Sequence, residues 1–314
     1  MKIPNIITVT LNPCIDKTVE IADFALGKTN RVLNSRSDIG GKGINVSLVL
    51  NTGDTPSVAT GLIAGVYGKK IIDRLDALDI VNDFVEAEGE TRVNTKIIDI
   101  NNDTMTEINE KGFLAGDSYD LFRTRLIELL SHAKVLVLSG SAPSDISVNV
   151  YKELISIAKE YDVKVILDAD GELLKRGIEA VPYAIKPNFD EFCSLIGKVP
   201  SSIEEIIEEA KLLNETGINL VAVSLGENGA VFTRDSLAIY AKPFPIEFES
   251  SSACGDSMVA ALAYATVNSL TLSETARLMT SAGTVTASKP GTQTASFNEI
   301  FQYADNVEIN IIDN

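Results

Sequence analysis

Ser251-Ser252-Ala253-Cys254-Gly255-Asp256-Ser257-Met258-Val259-Ala260-Ala261 joins a run of small residues to an apolar helix that continues through Tyr264, Ala265 and Val267. Small residues let a backbone come close to a ligand. The amides of Cys254, Gly255 and the first helical turn have no partner inside the helix, and they stand at the positive end of its dipole. That arrangement favours an anion. Asp256 stands at the same point. A carboxylate beside an anion hole can take a proton from a hydroxyl while the hole neutralises charge developing on a phosphoryl group. Taken alone, Asp256 reads first as the N-cap of a buried helix, since caps are commoner than bases, and only the rest of the chain reverses that order.

The surrounding chain narrows the choice. Its 314 residues are 45% hydrophobic and 23% charged, a composition that supports a sizeable α/β core. No apolar run approaches the ~20 residues of a membrane span. The opening Met1-Lys2-Ile3-Pro4-Asn5 has no apolar leader core, so a cytoplasmic protein is expected. Net charge is −17, which argues against nucleic acid and acidic membranes as partners. Any anionic ligand must then be held by a few local Lys and Arg residues. Three scattered cysteines (Cys14, Cys193, Cys254) form neither a disulfide framework nor a zinc pattern. The single histidine, His132, excludes a His-based metal cluster or a Ser-His-Asp triad.

From Asp117 onward, helices and short apolar strands alternate: Ser118–Ser131, Lys134–Leu138, a helix to Tyr161, Lys164–Asp168 and Leu220–Ser224. This rhythm predicts a mainly parallel sheet covered by helices on both faces. Asp16, Ser139, Asp168, Lys186–Glu191 and Ser224–Gly229 all follow strands, the edge at which such sheets bind ligands. Gly40-Gly41-Lys42-Gly43 is a glycine turn before a helix but not a Walker A loop, because Gly43 stands where Ser or Thr is required. Two stretches break the rhythm. One is about 13–38; the other, about 90–112, contains a period-two hairpin over Thr91–Ile100 and Met105–Asn109. They predict a small inserted sheet. Arg92, at the start of that hairpin, reads either as a phosphate fork or as an exposed strand arginine.

Five motifs carry a resemblance. They are Thr10-Leu11-Asn12-Pro13-Cys14-Ile15-Asp16, Gly40-Gly41-Lys42-Gly43-Ile44-Asn45-Val46, Lys186-Pro187-Asn188 with Glu191, Ser224-Leu225-Gly226 with Gly229-Ala230, and Gly255-Asp256-Ser257-Met258-Val259-Ala260. In this order the chain resembles the PfkB, or ribokinase-like, carbohydrate kinases over nearly its full length, in their 1-phosphofructokinase and tagatose-6-phosphate kinase branch. The resemblance implies a ribokinase-like α/β fold in a single domain, 1–314, with the inserted sheet acting as a lid. It implies ATP and Mg2+, and a ketohexose phosphate, fructose 1-phosphate before tagatose 6-phosphate. Asp256 would be the base, with the amides of Cys254, Gly255 and Asp256 as the anion hole. Asp16, Gly41, Lys42 and Asn45 would hold the sugar. Arg92 and Lys42, with Ser139, would hold its phosphate, and Arg31 on the lid would serve the same pocket or that of a neighbouring subunit. Asn188 and Glu191 would position the metal. Lys186, Ser224, Gly226 and Gly229 would contact ATP, with adenine near Ala282-Gly283.

Two departures stand out. The family pattern Gly-Ala-Gly-Asp is here Ala253-Cys254-Gly255-Asp256, and Ser144-Asp145 follow Pro143 where a glycine is usual. If position 253 needs a positive φ, alanine strains the loop. The altered loop also admits a second reading, a sensor that binds sugar phosphate or nucleotide without turnover. Cys14 and Cys254 lie beside the predicted site, so inhibition by thiol reagents is expected. The exposed lid edge invites a second subunit, hence a homodimer through the lid.

Overall fold

Every residue of Ile6–Thr10 is buried, and this strand becomes the eighth of ten in one large sheet. The computed structural model describes residues 4–53 and 55–312; Met1–Ile3, in the stretch read for a leader, lie outside the described residues. The first half of the chain contains β1 (Ile6–Thr10), β2 (Cys14–Ile21), β3 (Val32–Gly40), α1 (Lys42–Asn51), β4 (Ser57–Ala64), α2 (Gly65–Asp76), β5 (Val81–Ala87), β6 (Arg92–Asp99), β7 (Thr104–Asn109), α3 (Ser118–Leu130) and β8 (Val135–Ser139). Next come α4 (Val150–Glu160), β9 (Lys164–Asp168), α5 (Gly171–Ile178), β10 (Ala184–Ile185), α6 (Phe189–Ile196), α7 (Ile203–Glu215) and β11 (Leu220–Ser224). The chain closes with β12 (Ala230–Arg234), β13 (Leu237–Lys242), α8 (Cys254–Val267), α9 (Leu272–Ala287), α10 (Phe297–Ala304) and β14 (Glu308–Ile312).

The large sheet has the order β14-β13-β12-β11-β10-β9-β8-β1-β4-β5. From β5 to β11 all neighbours are parallel; β11 to β14 are antiparallel. One face packs on α3 to α7 through residues such as Phe122, Tyr151 and Phe192. The other packs on α1, α8, α9 and α10 through residues such as Val46, Met279 and Phe297. Parallel strands covered on both faces are buried throughout and mainly apolar, as β1, β4 and β8 are. Among the described residues, no helix is long and apolar enough to cross a membrane.

The second sheet has four strands, β3-β2-β6-β7. β2 and β6 lie parallel, and each pairs antiparallel with its sequence neighbour. Its root packs on α1 and α2 through Ile15, Ile39 and Val93.

Two features fix the helices that matter for the site. Thr8 Oγ1, Ser47 Oγ and Ser57 Oγ form a buried hydroxyl chain with 2.7 Å links, which joins α1 to β1 and β4. Alanines 260, 261, 263 and 265 make α8 narrow, and it is buried over nearly its whole length. Thr286 Oγ1 on α9 donates to Ser257 Oγ on α8 at 2.9 Å, which pins the start of α8 beside Asp256.

Candidate active site

The start of α8 excludes the capping reading of Asp256. The N-cap is Ala253, with no side-chain cap, and Asp256 is the third residue of the helix. The first helical bond runs from the Ser257 amide to the Ala253 carbonyl at 2.9 Å. The amides of Cys254, Gly255 and Asp256 therefore lie outside the ladder, at the positive end of the helix. Ala253 adopts the left-handed conformation, φ 59° and ψ 3°. The strain expected of alanine at this position is present.

Asp256 is 7% exposed. Asn45 Nδ2, on α1, donates to its Oδ2 at 2.7 Å. Burial, then the nearby Asp168 carboxylate, pushes the Asp256 carboxyl up to about 6, against the pull of the Asn45 hydrogen bond, Lys42 and Lys186. A carboxylate tuned toward neutrality is suited to accepting a proton at physiological pH.

Asp168, at the end of β9, is expected at the ligand-binding edge but carries no assigned role there. It is fully buried, and it pairs with Lys186 at 3.2 Å and Lys42 at 3.5 Å. The two ammoniums hold its carboxyl below the usual range despite the opposing cost of burial, and Asp168 is the first cause of the raised Lys42 ammonium. Lys186 also adjoins the helix start, since a Cβ on Gly255 would lie 3.2 Å from its Nζ. Two lysines, two carboxylates and three unpaired amides thus converge at the ends of β9, β10, α1 and α8. The signal for Asp168 was available in its position after a strand, alongside the polar clusters of four other strand ends.

Asp16 lies on the small sheet. Its Oδ1 accepts from Asn94 Nδ2 at 3.4 Å and from the Cys14 thiol at 3.5 Å. Gly40 opposite leaves room for it, because a Cβ there would lie 2.3 Å from Asp16 Oδ2. Gly41 has φ 122°, and a Cβ would meet Thr10 Cγ2 at 2.7 Å, so the turn into α1 requires glycine.

Lys42 and Arg92, expected to share one phosphate, are held apart: Lys42 is tied to Asp168, whereas the Arg92 guanidinium donates to the carbonyls of Asn12 (3.1 and 3.3 Å) and Glu110 (3.3 Å). Ser139, at the end of β8, pairs in register with Asp168, and its buried Oγ has no partner among the described residues. The Asn12 Oδ1 atom beside the Arg92 anchor is likewise buried and unpartnered. A ligand group or an ordered water can complete the bonding of such atoms. Arg31 is exposed and makes no hydrogen bond or ion pair among the described residues, so nothing draws it into this cluster.

Asn188 and Glu191 form a capping box on α6. Asn188 Oδ1 accepts from the Glu191 amide at 2.8 Å, and Glu191 Oε2 accepts from the Asn188 amide at 2.9 Å. Ser224 follows a bridge to Asn188, and Gly226 (φ 60°) and Gly229 (φ 90°) shape the turn between β11 and β12. A Cβ on Gly229 would strike the Ala241 carbonyl at 2.0 Å. Ala282 departs from its expected role: it is fully buried in the core, and the half-buried Gly283 is the member of that pair nearer the surface. The thiols beside the site are buried or half-buried. Burial pushes Cys14 up, and it pushes Cys254 up to about 11. Both are therefore protonated and poorly nucleophilic at neutral pH.

Comparison with known proteins agrees with this geometry. The chain is 36% identical to 1-phosphofructokinase of Rhodobacter capsulatus over 277 residues, covering 88% of each chain. It is 31% identical to tagatose-6-phosphate kinase of Staphylococcus epidermidis over 312 residues, covering 97% of this chain and all of the relative. Phosphofructokinase-2 from Escherichia coli shares the fold with a TM-score of 0.91 at 24% identity, covering 97% of this chain and 99% of that one. The profile of the pfkB family carbohydrate kinases matches residues 9–299, and the chain belongs to that family of sugar-phosphate kinases.

Proposed function

We propose that the protein transfers the γ-phosphoryl group of ATP to the free primary hydroxyl of fructose 1-phosphate, giving fructose 1,6-bisphosphate and ADP. The observation that carries this reading is the buried Asp256 carboxylate, held by Asn45 beside three unpaired amides and Lys186. Asn45 occupies Oδ2 and leaves Oδ1 without a hydrogen bond among the described residues. Oδ1 takes the proton of the attacking hydroxyl as its oxygen bonds to phosphorus and the bond to ADP breaks. The amides of Cys254, Gly255 and Asp256, with Lys186, neutralise the charge in transit. Asp168 holds both lysines in place, and such fixed positioning is how most of the rate is obtained in phosphoryl transfer.

Asp16, Gly41 and Asn45 hold the sugar. Arg92, with Ser139, holds the phosphate already on it, and the orphaned Ser139 and Asn12 oxygens support that placement. Ser224, Gly226 and Gly229 line the nucleotide side. The donor set at the start of α6 fits Mg2+, which takes one or two carboxylates plus phosphate oxygens: Glu191 commits Oε2 to the helix cap, and Oε1 has no hydrogen bond among the described residues. When bound, the ion neutralises phosphate charge; Glu191, with Asn188, would hold it. The small sheet serves as a lid that excludes water as a competing acceptor. Its edge pairs with a second copy of the chain, and the protein works in the cytoplasm, where ATP and sugar phosphates are at hand.

The likeness to tagatose-6-phosphate kinase favours a second acceptor, tagatose 6-phosphate, with the same machinery. A coupled assay with MgATP and fructose 1-phosphate, tagatose 6-phosphate, fructose 6-phosphate and fructose, read as kcat/KM, separates the two. A lead for tagatose 6-phosphate replaces the first substrate. No turnover of any sugar, with ATP binding intact, replaces the kinase with a sensor. Arg92→Ala should raise the KM of the phosphorylated acceptor by about tenfold or more while leaving the KM of ATP near its original value.

A further inference from the structure

A groove of about 710 Å3 runs between the small sheet, α1 and α2. That volume is typical of small-molecule sites. Lys70 and Arg74 line it from α2, and Lys17 and Arg36 from the small sheet, against one carboxylate, Asp38. Arg36 is paired with Asp38 at 2.7 Å. Lys17, Lys70 and Arg74 form no ion pair among the described residues. In a chain of net charge −17, this local excess of positive charge is conspicuous. Cations gathered in one concavity repel each other and focus a field that attracts an anion. The floor is apolar, with Ile15 and Leu48, and leaves room for an uncharged body beside the charged group.

We propose that this groove binds a second phosphorylated small molecule, its phosphate held between Lys17 and Arg36 on the small sheet and Lys70 and Arg74 on α2. Such a ligand bridges the small sheet to the body of the protein. It also competes with Asp38 for Arg36. Asp38 accepts from Thr292 Oγ1 at 3.0 Å, a contact that joins the sheet to the segment before α10. At its inner end the groove reaches Asn45, the residue that holds Asp256. Occupancy is therefore felt at the reacting carboxylate and in the position of the small sheet, and the ligand is a regulator of acceptor binding.

The inference needs no turnover, so its failure is distinct from failure of the kinase reading. Calorimetric titration of the full chain with inorganic pyrophosphate, ADP and a sugar bisphosphate, each alone, reads the number and strength of sites. The expected result is that at least one probe binds at two sites in the wild type, and that Lys70→Glu with Arg74→Glu weakens one of them about tenfold or more. Lys17→Glu, on the opposite wall, should weaken the same site, and higher salt should weaken it further. Identical stoichiometry and affinity in wild type and both variants would overturn the proposal. A variant that changes oligomeric state in light scattering while anion binding stays the same would also overturn it, and would assign the groove to a second copy of the chain.

Discussion

Asp256 carries the sharpest expectations at the scale of single residues. Asp256→Asn should lower kcat by ~10²–10⁴ with ATP binding retained, the usual contribution of a general base. In the wild type kcat/KM should fall as pH drops through about 6, because the base becomes protonated. Stability follows the opposite course. The native state favours the protonated carboxyl, so between the unfolded value of 3.8 and about 6 it binds more protons than the unfolded chain, and stability falls as pH rises through that window. At pH 8, Asp256→Asn should therefore be more stable than the wild type by on the order of 2–3 kcal/mol, a gap that closes below about pH 4 and is read by denaturant titration at the two pH values. Ala253 offers a second test. Glycine has no Cβ penalty in the left-handed region, so Ala253→Gly should stabilise the protein by about 1 kcal/mol, seen as a higher melting temperature. An unchanged or lower melting temperature would show that the loop carries no such strain.

At the scale of elements, the capping box on α6 and the proposed metal role of the same two residues can be pulled apart. Glu191→Gln preserves a side chain able to accept from the Asn188 amide, so the helix cap and melting temperature should hold. The removed charge should raise the Mg2+ concentration needed for half-maximal rate; if that concentration does not move, Glu191 is a cap and nothing more. Gly40→Ala probes the fit between β3 and β2. The new Cβ displaces Asp16, whose Oδ2 would be 2.3 Å away, and an ångström of misplacement in a binding group costs up to about 10²-fold. The expected readout is a raised KM for the sugar with the KM of ATP unchanged. The helices and parallel strands were legible because apolar periodicity and strand-end polar clusters are local signals. The position of Asp256 within its helix was not, because distinguishing an N-cap from the third helical residue depends on the φ of Ala253. Nor was the Lys42–Asp168–Lys186 grouping, which joins residues up to 144 positions apart through sheet order alone. The last strand, β14, shows in the alternation of Val307-Glu308-Ile309-Asn310-Ile311.

For the whole molecule, the outward surface of the small sheet is the part left without an internal partner. Val32 (52% exposed) and Leu33 (61%) lie on its β3 edge, and Met105 and Ile108 on β7 at the other. Exposed strand edges carrying apolar side chains favour pairing with another chain. Leu33→Asp should shift the protein toward the monomer in light scattering, and a concentration-independent mass unchanged by the substitution would place any dimer contact elsewhere. The family and fold could be read along the chain, whereas the charged groove between α1, α2 and the small sheet could not. Its four cations come from three separated segments, and only the packing of the small sheet against the helices makes them neighbours.

The way the small sheet is attached has a mechanical consequence. Cys14, Gly40 and Arg92 lie side by side in register at the end of the sheet where β2 and β6 begin and β3 ends, and β7 returns toward that end. The flap is thus hung along a single hinge line, and rotation about that line is its cheapest motion. Lys96, four residues out along β6 and bonded to Ser252 Oγ at 2.9 Å, sits on a lever arm of about 13 Å. Opening therefore parts the tip of the flap from the Ser251–Cys254 loop first, while Asp16 and Arg92, close to the axle, hardly move. Under the proposed function, a sugar phosphate is gripped with the flap ajar, and only the final swing carries the tip onto the loop proposed to cradle the transferring group.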